Sequence, residues 1–279
     1  MITVFKRILT YKNNIPLFIK KISNYLSWHS ESMKNLIRNI NEIFDKHDQK
    51  MTYFISTYLI DQEPSIFDSF ENHDFGPHGH LHLDYTLVGK QHAIEDIYKS
   101  VKVFKEHNKD PWIFRAPYAL YHIGNDPKLL FQVEKKLNIL YDSSINIKRP
   151  PWNDKTRPVK HPNGVITIPL IGISDDGLID NRGLNNSNII LKEFSKALDH
   201  GKGGLLVYDM HPIRMGQDRY KNILKNLIES INKRKNVRIT SMRESVKEFE
   251  KKDSNETIVC FSGDIDNLSI LDYFRRFMI

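Results

Sequence analysis

The sequence contains a single cysteine, Cys260, among its 279 residues. One thiol cannot form an intrachain disulfide, and it excludes a cysteine-rich zinc site. Because Cys260 lies in an apolar run, we expect a buried thiol rather than a nucleophile. Any catalysis must therefore depend on other side chains.

Long hydrophobic runs are also missing. No stretch approaches the roughly 18 consecutive apolar residues of a transmembrane helix. Residues 1–21 lack the continuous apolar segment of a signal peptide. These absences predict a cytoplasmic protein without a transmembrane segment, and they leave peripheral attachment to a membrane open.

Acidic residues are fewer than basic ones, 34 against 41, which gives a formal net charge of +7. An excess of positive charge favours an anionic partner, such as a phosphate-linked substrate. The basic residues are scattered and form no aromatic-rich recognition motif, so we do not expect a nucleic-acid partner.

From Met51 onward, short β-rich segments alternate with longer amphipathic segments, as in βα-repeating proteins. Helices are predicted at residues 32–46, 92–107 and 218–232. Strands are predicted at residues 52–56, 74–77, 112–115, 139–142, 165–169, 205–209, 237–240 and 258–262. This alternation predicts a parallel barrel or open sheet, with reactive groups at the carboxyl ends of the strands.

The densest group of chemically versatile residues follows the strand predicted at 74–77. The segment reads DFGPHGHLHLDY, in which His78 and His82 are four positions apart. On a turn of helix, this spacing places two imidazoles on one side, each about 2.0–2.1 Å from a shared divalent metal. Histidine pairs also occur as solvated loop residues, so the spacing alone leaves both interpretations open.

Two other strand ends carry candidate residues. In FRAPY, residues 114–118, Arg115 offers a planar and permanently charged fork beside the fixed φ of Pro117. In LLVYDMHP, residues 205–212, His211 has a side chain whose pKa near neutrality suits a general acid. Taken singly, Arg115 is equally explained by a structural ion pair, and His211 by a structural loop histidine.

In this order, the segments resemble the polysaccharide deacetylase family, also called the NodB-homology or carbohydrate esterase family 4 group. The resemblance covers about residues 32–248. It is carried by MTYFI at 51–55, HGHLH at 78–82, RAPY at 115–118, YDSS at 141–144 and VYDMHP at 207–212. It implies an α/β fold, a deformed (β/α) barrel, with residues 1–279 forming a single domain.

Members of this family hold a divalent metal, often zinc, with two histidines and an aspartate, and a second aspartate acts as base. The resemblance therefore implies that His78 and His82 are metal ligands. It implies that Arg115 orients the base and that His211 protonates the departing sugar amine.

The resemblance also places Tyr118 and Asp142 beside the substrate or its oxyanion. The implied reaction removes an N-acyl group, such as acetyl, from an amino sugar. The implied substrate is a surface glycan or its nucleotide- or lipid-linked precursor.

The first motif of the family, a strand ending in an acidic pair, is missing at its expected place before Phe54. Residues 28–31 read WHSE there and contain no aspartate. His29 or Glu31 could substitute, since either residue type can bind a metal or accept a proton.

A second source of this motif is the segment IVCFSGDID, residues 258–266, an apolar strand followed by Asp264 and Asp266. Chain termini often lie close together in a compact domain, so this strand could take the place of the first barrel strand. The fold would then be circularly permuted, with Asp264 as base, Asp266 as third metal ligand and a helix over 268–277. An exposed turn is the alternative, and the segment could also serve a neighbouring subunit in a homo-oligomer.

A further acidic pair, Asp175 and Asp176, follows the strand at 165–169, and we expect it to lie in a solvated loop or to contact sugar hydroxyls. Two other functions stay open. One is a catalytically inactive deacetylase-like domain that binds glycan or scaffolds other enzymes, which the missing first motif favours. The other is hydrolysis of a non-sugar amide on the same scaffold.

Overall fold

The computed structural model describes residues 31–150, 152, 156–249, 256–269 and 271–272. Its helices are α1 Met33–Lys46, α2 Tyr58–Gln62, α3 Lys90–Glu106, α4 Leu129–Lys136, α5 Ser187–His200, α6 Pro212–Met215, α7 Asp218–Asn232 and α8 Met242–Phe249. Its strands are β1 Met51–Ile55, β2 Asp74–Pro77, β3 Ile113–Phe114, β4 Tyr141–Asp142, β5 Asn146–Ile147, β6 Val159–Lys160, β7 Ile166–Thr167, β8 Leu170–Ile171, β9 Leu205–Asp209, β10 Val237–Ile239 and β11 Thr257–Ile265.

The helices form where apolar residues recur at helical spacing. In α7, the predicted stripe is buried in the core: Tyr220, Ile223, Leu224, Leu227, Ile228 and Ile231. Each such side chain contributes about 1.5–3 kcal/mol when it leaves water. In α1, Ser32 caps the first turn by accepting a hydrogen bond from the Asn35 amide at 3.3 Å.

Strand β11 lies in the middle of the main sheet, and all nine of its residues are buried. It pairs in parallel with β9, from Ile258↔Leu205 to Ser262↔Asp209. Its opposite edge pairs in parallel with β10 at the start of the strand and with β1 at its end. Since β1 also pairs in parallel with β2, the carboxyl ends of β9, β11, β1 and β2 meet at one edge of the sheet.

Gly263 allows this close packing of strands. A Cβ atom at this position would lie 2.1 Å from the Met210 carbonyl oxygen and 2.6 Å from the Met51 Cε. A glycine is therefore required immediately before Asp264.

The remaining strands form two further groups. One group has the order β3-β4-β7-β6, and another pairs β5 with β8. The Arg115 amide donates to the Pro77 carbonyl oxygen at 3.2 Å, which joins the end of β3 to the end of β2. An isolated parallel bridge between Ser174 and Asp209 joins the segment after β8 to the end of β9.

These observations confirm the predicted α/β class and the predicted strand at 258–262, which extends to Ile265. The expectation of an exposed turn at Asp264 is wrong, because this residue is buried inside β11. Of the helix predicted over 268–277, Leu271 and Asp272 are helical, and Leu268 and Ser269 are not. Residues 270 and 273–277 lie outside the described residues. Within the described ranges, no helix is both long and apolar enough to cross a membrane.

Candidate metal centre and active site

His78, His82 and Asp266 come together at the carboxyl end of the main sheet. One potential ligand atom from each lies within 4.8 Å of the others. The His82 Nε2 is 3.1 Å from the Asp266 Oδ1, and the His78 Nε2 is 3.6 Å from the same oxygen. The residue that follows β11 supplies the carboxylate, and the loop after β2 supplies both imidazoles.

The histidine loop is held by Asp96 of α3, a buried carboxylate that sequence reasoning did not single out. It accepts hydrogen bonds from the amides of His80 and Leu81 at 2.9 and 2.8 Å, and from the Tyr85 hydroxyl at 2.8 Å. Gly79 has φ +71°, and a Cβ there would lie 2.8 Å from an Asp96 oxygen. The histidines are therefore held on a tight, fixed loop.

The surroundings of His78 suit a neutral metal ligand. Its Nδ1 lies 2.9 Å from the backbone carbonyl oxygen of Arg115, which assigns the proton to Nδ1. The Nε2 then faces Asp264 and Asp266, and within the described part of the chain it has no hydrogen-bond partner. Burial lowers the pKa of His78 to about 4, so the imidazole is uncharged at neutral pH. A buried lone pair beside a carboxylate and a second imidazole fits a divalent metal ion.

Arg115 is fully buried, and its guanidinium binds two carboxylates. The Nη1 lies 2.7 Å from the Asp264 Oδ1 and 3.1 Å from the Asp209 Oδ1. The Nη2 donates to the hydroxyls of Ser262 and Ser143 at 2.8 and 3.1 Å, and the Nε donates to the Ser143 carbonyl oxygen at 3.2 Å. Five bonds account for the five donors of the side chain and fix its plane.

Asp264 is an ionised carboxylate beside the metal ligands. Its Oδ2 is 3.3 Å from the His78 Nε2. Burial alone would raise the pKa of Asp264, but Arg115 and His78 outweigh it and lower that pKa. For Asp209, burial and the neighbouring Asp264 raise the pKa to about 7.

His211, at the end of β9, is held by Asp175. The Asp175 carboxylate is fully buried; one oxygen lies 2.7 Å from the His211 Nδ1, and the other accepts the His211 amide at 2.8 Å. Burial alone would lower the pKa of His211, but the Asp175 and Asp209 carboxylates raise it well above its usual value. The expectation that Asp175 lies in a solvated loop is therefore wrong.

The other candidate residues occupy different positions. Tyr118 is half-buried, with φ +64°, and its ring centroid is 4.5 Å from that of His82. Asp142 is fully buried and accepts bonds from Ser144 and Thr167, and a carboxylate without exposed surface cannot touch a substrate. Glu31 approaches Asn39 at 3.5 Å. His29 lies outside the described residues.

Five residues have supporting roles that sequence reasoning did not assign, and they hold other site residues in place: Asp96, Ser143, Asp175, Asp209 and Ser262. For one of these residues, Asp209, the sequence contains a signal. Asp209 stands two positions before His211 at the end of the same strand. The partners of Asp96 and Asp175 are set by packing between distant segments.

Comparison with known proteins gives one family match and several structures of similar fold. Residues 21–139 match the family model described as Polysaccharide deacetylase. A search of curated proteins found no match.

Solved structures with a similar fold include a probable polysaccharide deacetylase from Pseudomonas aeruginosa PAO1, with TM-score 0.66, 16% identity and coverage of 81% of this chain and 75% of that chain. A putative polysaccharide deacetylase from Mycobacterium smegmatis has TM-score 0.62, 18% identity and coverage of 87% and 85%. Puue allantoinase has TM-score 0.65, 17% identity and coverage of 84% and 77%. At these identities the likeness concerns the fold.

Proposed function

We propose, from the premise that this chain belongs to the polysaccharide deacetylase superfamily, that it is a metal-dependent hydrolase removing an N-acyl group from an amino sugar. The observation that carries the proposal is the convergence of His78, His82 and Asp266, with Asp264 held by Arg115 beside them. In this proposal, the end of β11 and the residue after it supply the acidic pair that the family carries on its first strand.

In this proposal His78, His82 and Asp266 hold a divalent metal, most simply zinc, which suits two imidazoles and a carboxylate. The ion would supply Lewis-acid chemistry, polarising the substrate carbonyl and activating water. Asp264 accepts the proton of the attacking water, because its pKa is lowered and its carboxylate is ionised. Arg115 fixes the orientation of that carboxylate.

His211 completes the reaction by donating a proton to the departing amine. Asp175 holds the proton on Nδ1 and orients the ring, and the raised pKa keeps the imidazolium form available near neutral pH. Tyr118 is assigned to the substrate side, because its half-buried ring lies next to His82. Its backbone is the predicted contact for the oxyanion.

The substrate we propose is an amino-sugar-containing glycan or its phosphate-linked precursor, which the net charge of +7 would favour. The fold shared with Puue allantoinase keeps a non-sugar amide as the second candidate. The inactive alternative rested on a missing acidic pair, and in this proposal Asp264 and Asp266 take the place of that pair.

The first test is the metal content of the purified protein, measured by elemental mass spectrometry. We expect near-stoichiometric divalent metal in the wild type and its loss in His78→Ala and Asp266→Ala. His92→Ala and Asp218→Asn are matched controls at exposed positions, and both should keep the metal. A wild-type protein that binds no metal after reconstitution would contradict the proposal.

The second test is release of acetate from N-acetylglucosamine oligomers and from UDP-N-acetylglucosamine, with allantoin as a non-sugar substrate. Asp264→Asn should keep the fold and lose about two to four orders of magnitude in rate, the usual contribution of a general base. Hydrolysis of allantoin, without acetate release from either sugar substrate, would favour a non-sugar amide over an amino sugar as the substrate. Stoichiometric metal without turnover of any of these would favour the inactive domain.

A further inference from the structure

Two carboxyl groups outside the proposed ligand set lie within hydrogen-bonding reach of each other in the interior. Glu134 lies on α4 and Asp142 ends β4, and both side chains have no exposed surface. No ion pair joins either carboxyl group to a cation among the described residues. The proposed reaction uses neither group.

The hydrogen bonds of the two groups are unequal. Asp142 accepts bonds from the Ser144 amide at 3.0 Å, from the Ser144 hydroxyl, and from the Thr167 hydroxyl at 3.2 Å. In the described part of the chain, no N–H or O–H group reaches either oxygen of Glu134. The polar group that faces Glu134 is the carboxyl of Asp142.

Two ionised carboxylates without cations cannot share such a site, since each loses its hydration and repels the other. We propose that Glu134 is a neutral carboxylic acid at neutral pH and donates its proton to Asp142. The proton gives Glu134 the hydrogen bond that it otherwise lacks, and Asp142 keeps the charge because three donors already stabilise it.

The surroundings support this assignment. Burial, and then the nearby Asp142, raise the pKa of Glu134 well above its usual value. Tyr85 of the histidine loop, which Glu134 influences, is bound to Asp96 and has a pKa raised by burial. His161 reaches the pair only through Thr167, at 2.8 Å, and burial lowers its pKa. Among the residues that the structure describes, no cation forms an ion pair with this carboxyl pair and takes the place of the proton.

The shared proton supports the loop that carries Arg115. The Ser144 hydroxyl bonds to Asp142 and also accepts the Ala116 amide at 2.8 Å. The adjacent Ser143 holds the Arg115 guanidinium. Helix α4 is therefore connected to the turn after β3 through Glu134, Asp142 and Ser144, and this inference requires neither a metal nor turnover.

The pH dependence of folding stability follows from the direction in which the pKa of Glu134 is shifted. The pKa of Glu134 is higher in the folded than in the unfolded chain, where it is near 4.5. Its protonated form therefore contributes stability that is fully present below the unfolded pKa and is lost as pH rises through the folded pKa. Between these two values, the unfolding equilibrium constant of the wild type should rise about tenfold per pH unit from this group.

The test compares the wild type with Glu134→Gln in urea denaturation between pH 5 and pH 9. The amide of glutamine can donate to Asp142 at every pH, so we expect the variant to gain stability relative to the wild type as pH rises. Glu95→Gln, at an exposed position on α3, is the matched control and should follow the wild type. A pH-independent difference between Glu134→Gln and the wild type would overturn the proposal.

A second measurement tests the proposal even if Glu134→Gln fails to fold. Infrared spectra of the wild type at pH 7 should contain the carbonyl band of a protonated carboxylic acid. The band should persist in Asp209→Asn, which removes the other carboxyl group with a strongly raised pKa in the site. Absence of the band from the wild type would refute a neutral Glu134.

Discussion

At the scale of single residues, neighbouring charges give two histidines of the site opposite properties. Burial lowers the pKa of His78 to about 4, which leaves a neutral ring with a lone pair for a metal. His211 is buried too, but the carboxylates of Asp175 and Asp209 raise its pKa. One imidazole is therefore suited to bind a cation and the other to carry a proton.

This contrast predicts the effect of Asp175→Asn. Removing the carboxylate lowers the pKa of His211, so the imidazolium deprotonates at a lower pH. If His211 is the general acid, the alkaline limb of the kcat profile should move to lower pH, and kcat at pH 8 should fall about 10²–10⁴-fold. Kinetic profiles and NMR titration of the His211 ring would measure the two effects independently.

Asp218→Asn, at a position 85% exposed on the start of α7, is the control and should leave the profile unchanged. An unshifted alkaline limb in Asp175→Asn, with the His211 titration moved, would mean that His211 is not the acid.

At the scale of elements, the sequence predicts structure best where one short segment contains the whole signal. Helix α7 has the predicted limits, since its apolar stripe is continuous over 15 residues. Of the strand predicted at 165–169, only β7 forms, because Pro169 lacks the amide hydrogen that a ladder needs. The next strand, β8, begins after this proline.

The same reasoning applies to the candidate site. His78 and His82 are recognisable because they are close in sequence, and Asp264 and Asp266 because they end an apolar strand. The contact between Asp175 and His211 spans 36 residues and depends on how the segment after β8 packs against β9. No local pattern specifies such a contact.

The histidine loop gives a prediction at this scale. In Asp96→Ala, the amides of His80 and Leu81 lose their shared acceptor, so the loop should no longer fix the two ligands. We expect metal affinity to fall about 10–100-fold, the usual effect of losing a residue that orients metal ligands. Competition with a chromogenic chelator would measure it, with Glu95→Gln as the neighbouring control. Equal affinities in Asp96→Ala and the wild type would mean that packing alone fixes the loop.

For the whole molecule, the site joins segments that are far apart in the chain. His78 and His82 follow β2, whereas Asp264 and Asp266 belong to β11 and the residue after it, and β11 pairs with β1, β9 and β10. A bound ion would therefore connect the loop after β2 to the strand at the centre of the main sheet. Metal binding and global stability should be coupled.

We accordingly expect chelation to lower the melting temperature of the wild type. An ion present at 100 times its dissociation constant stabilises the folded state by about 2.7 kcal/mol. At about 2–4 °C per kcal/mol for a protein of roughly this size, the melting temperature should shift by about 5–11 °C. The shift should increase with the logarithm of free metal concentration and should vanish in His82→Ala and Asp266→Ala. His122→Ala, which removes a half-buried histidine outside the proposed ligand set, should keep the full shift. A metal-dependent melting temperature that survives in Asp266→Ala would show that β11 does not supply the third ligand, and would return that role to another segment of the chain.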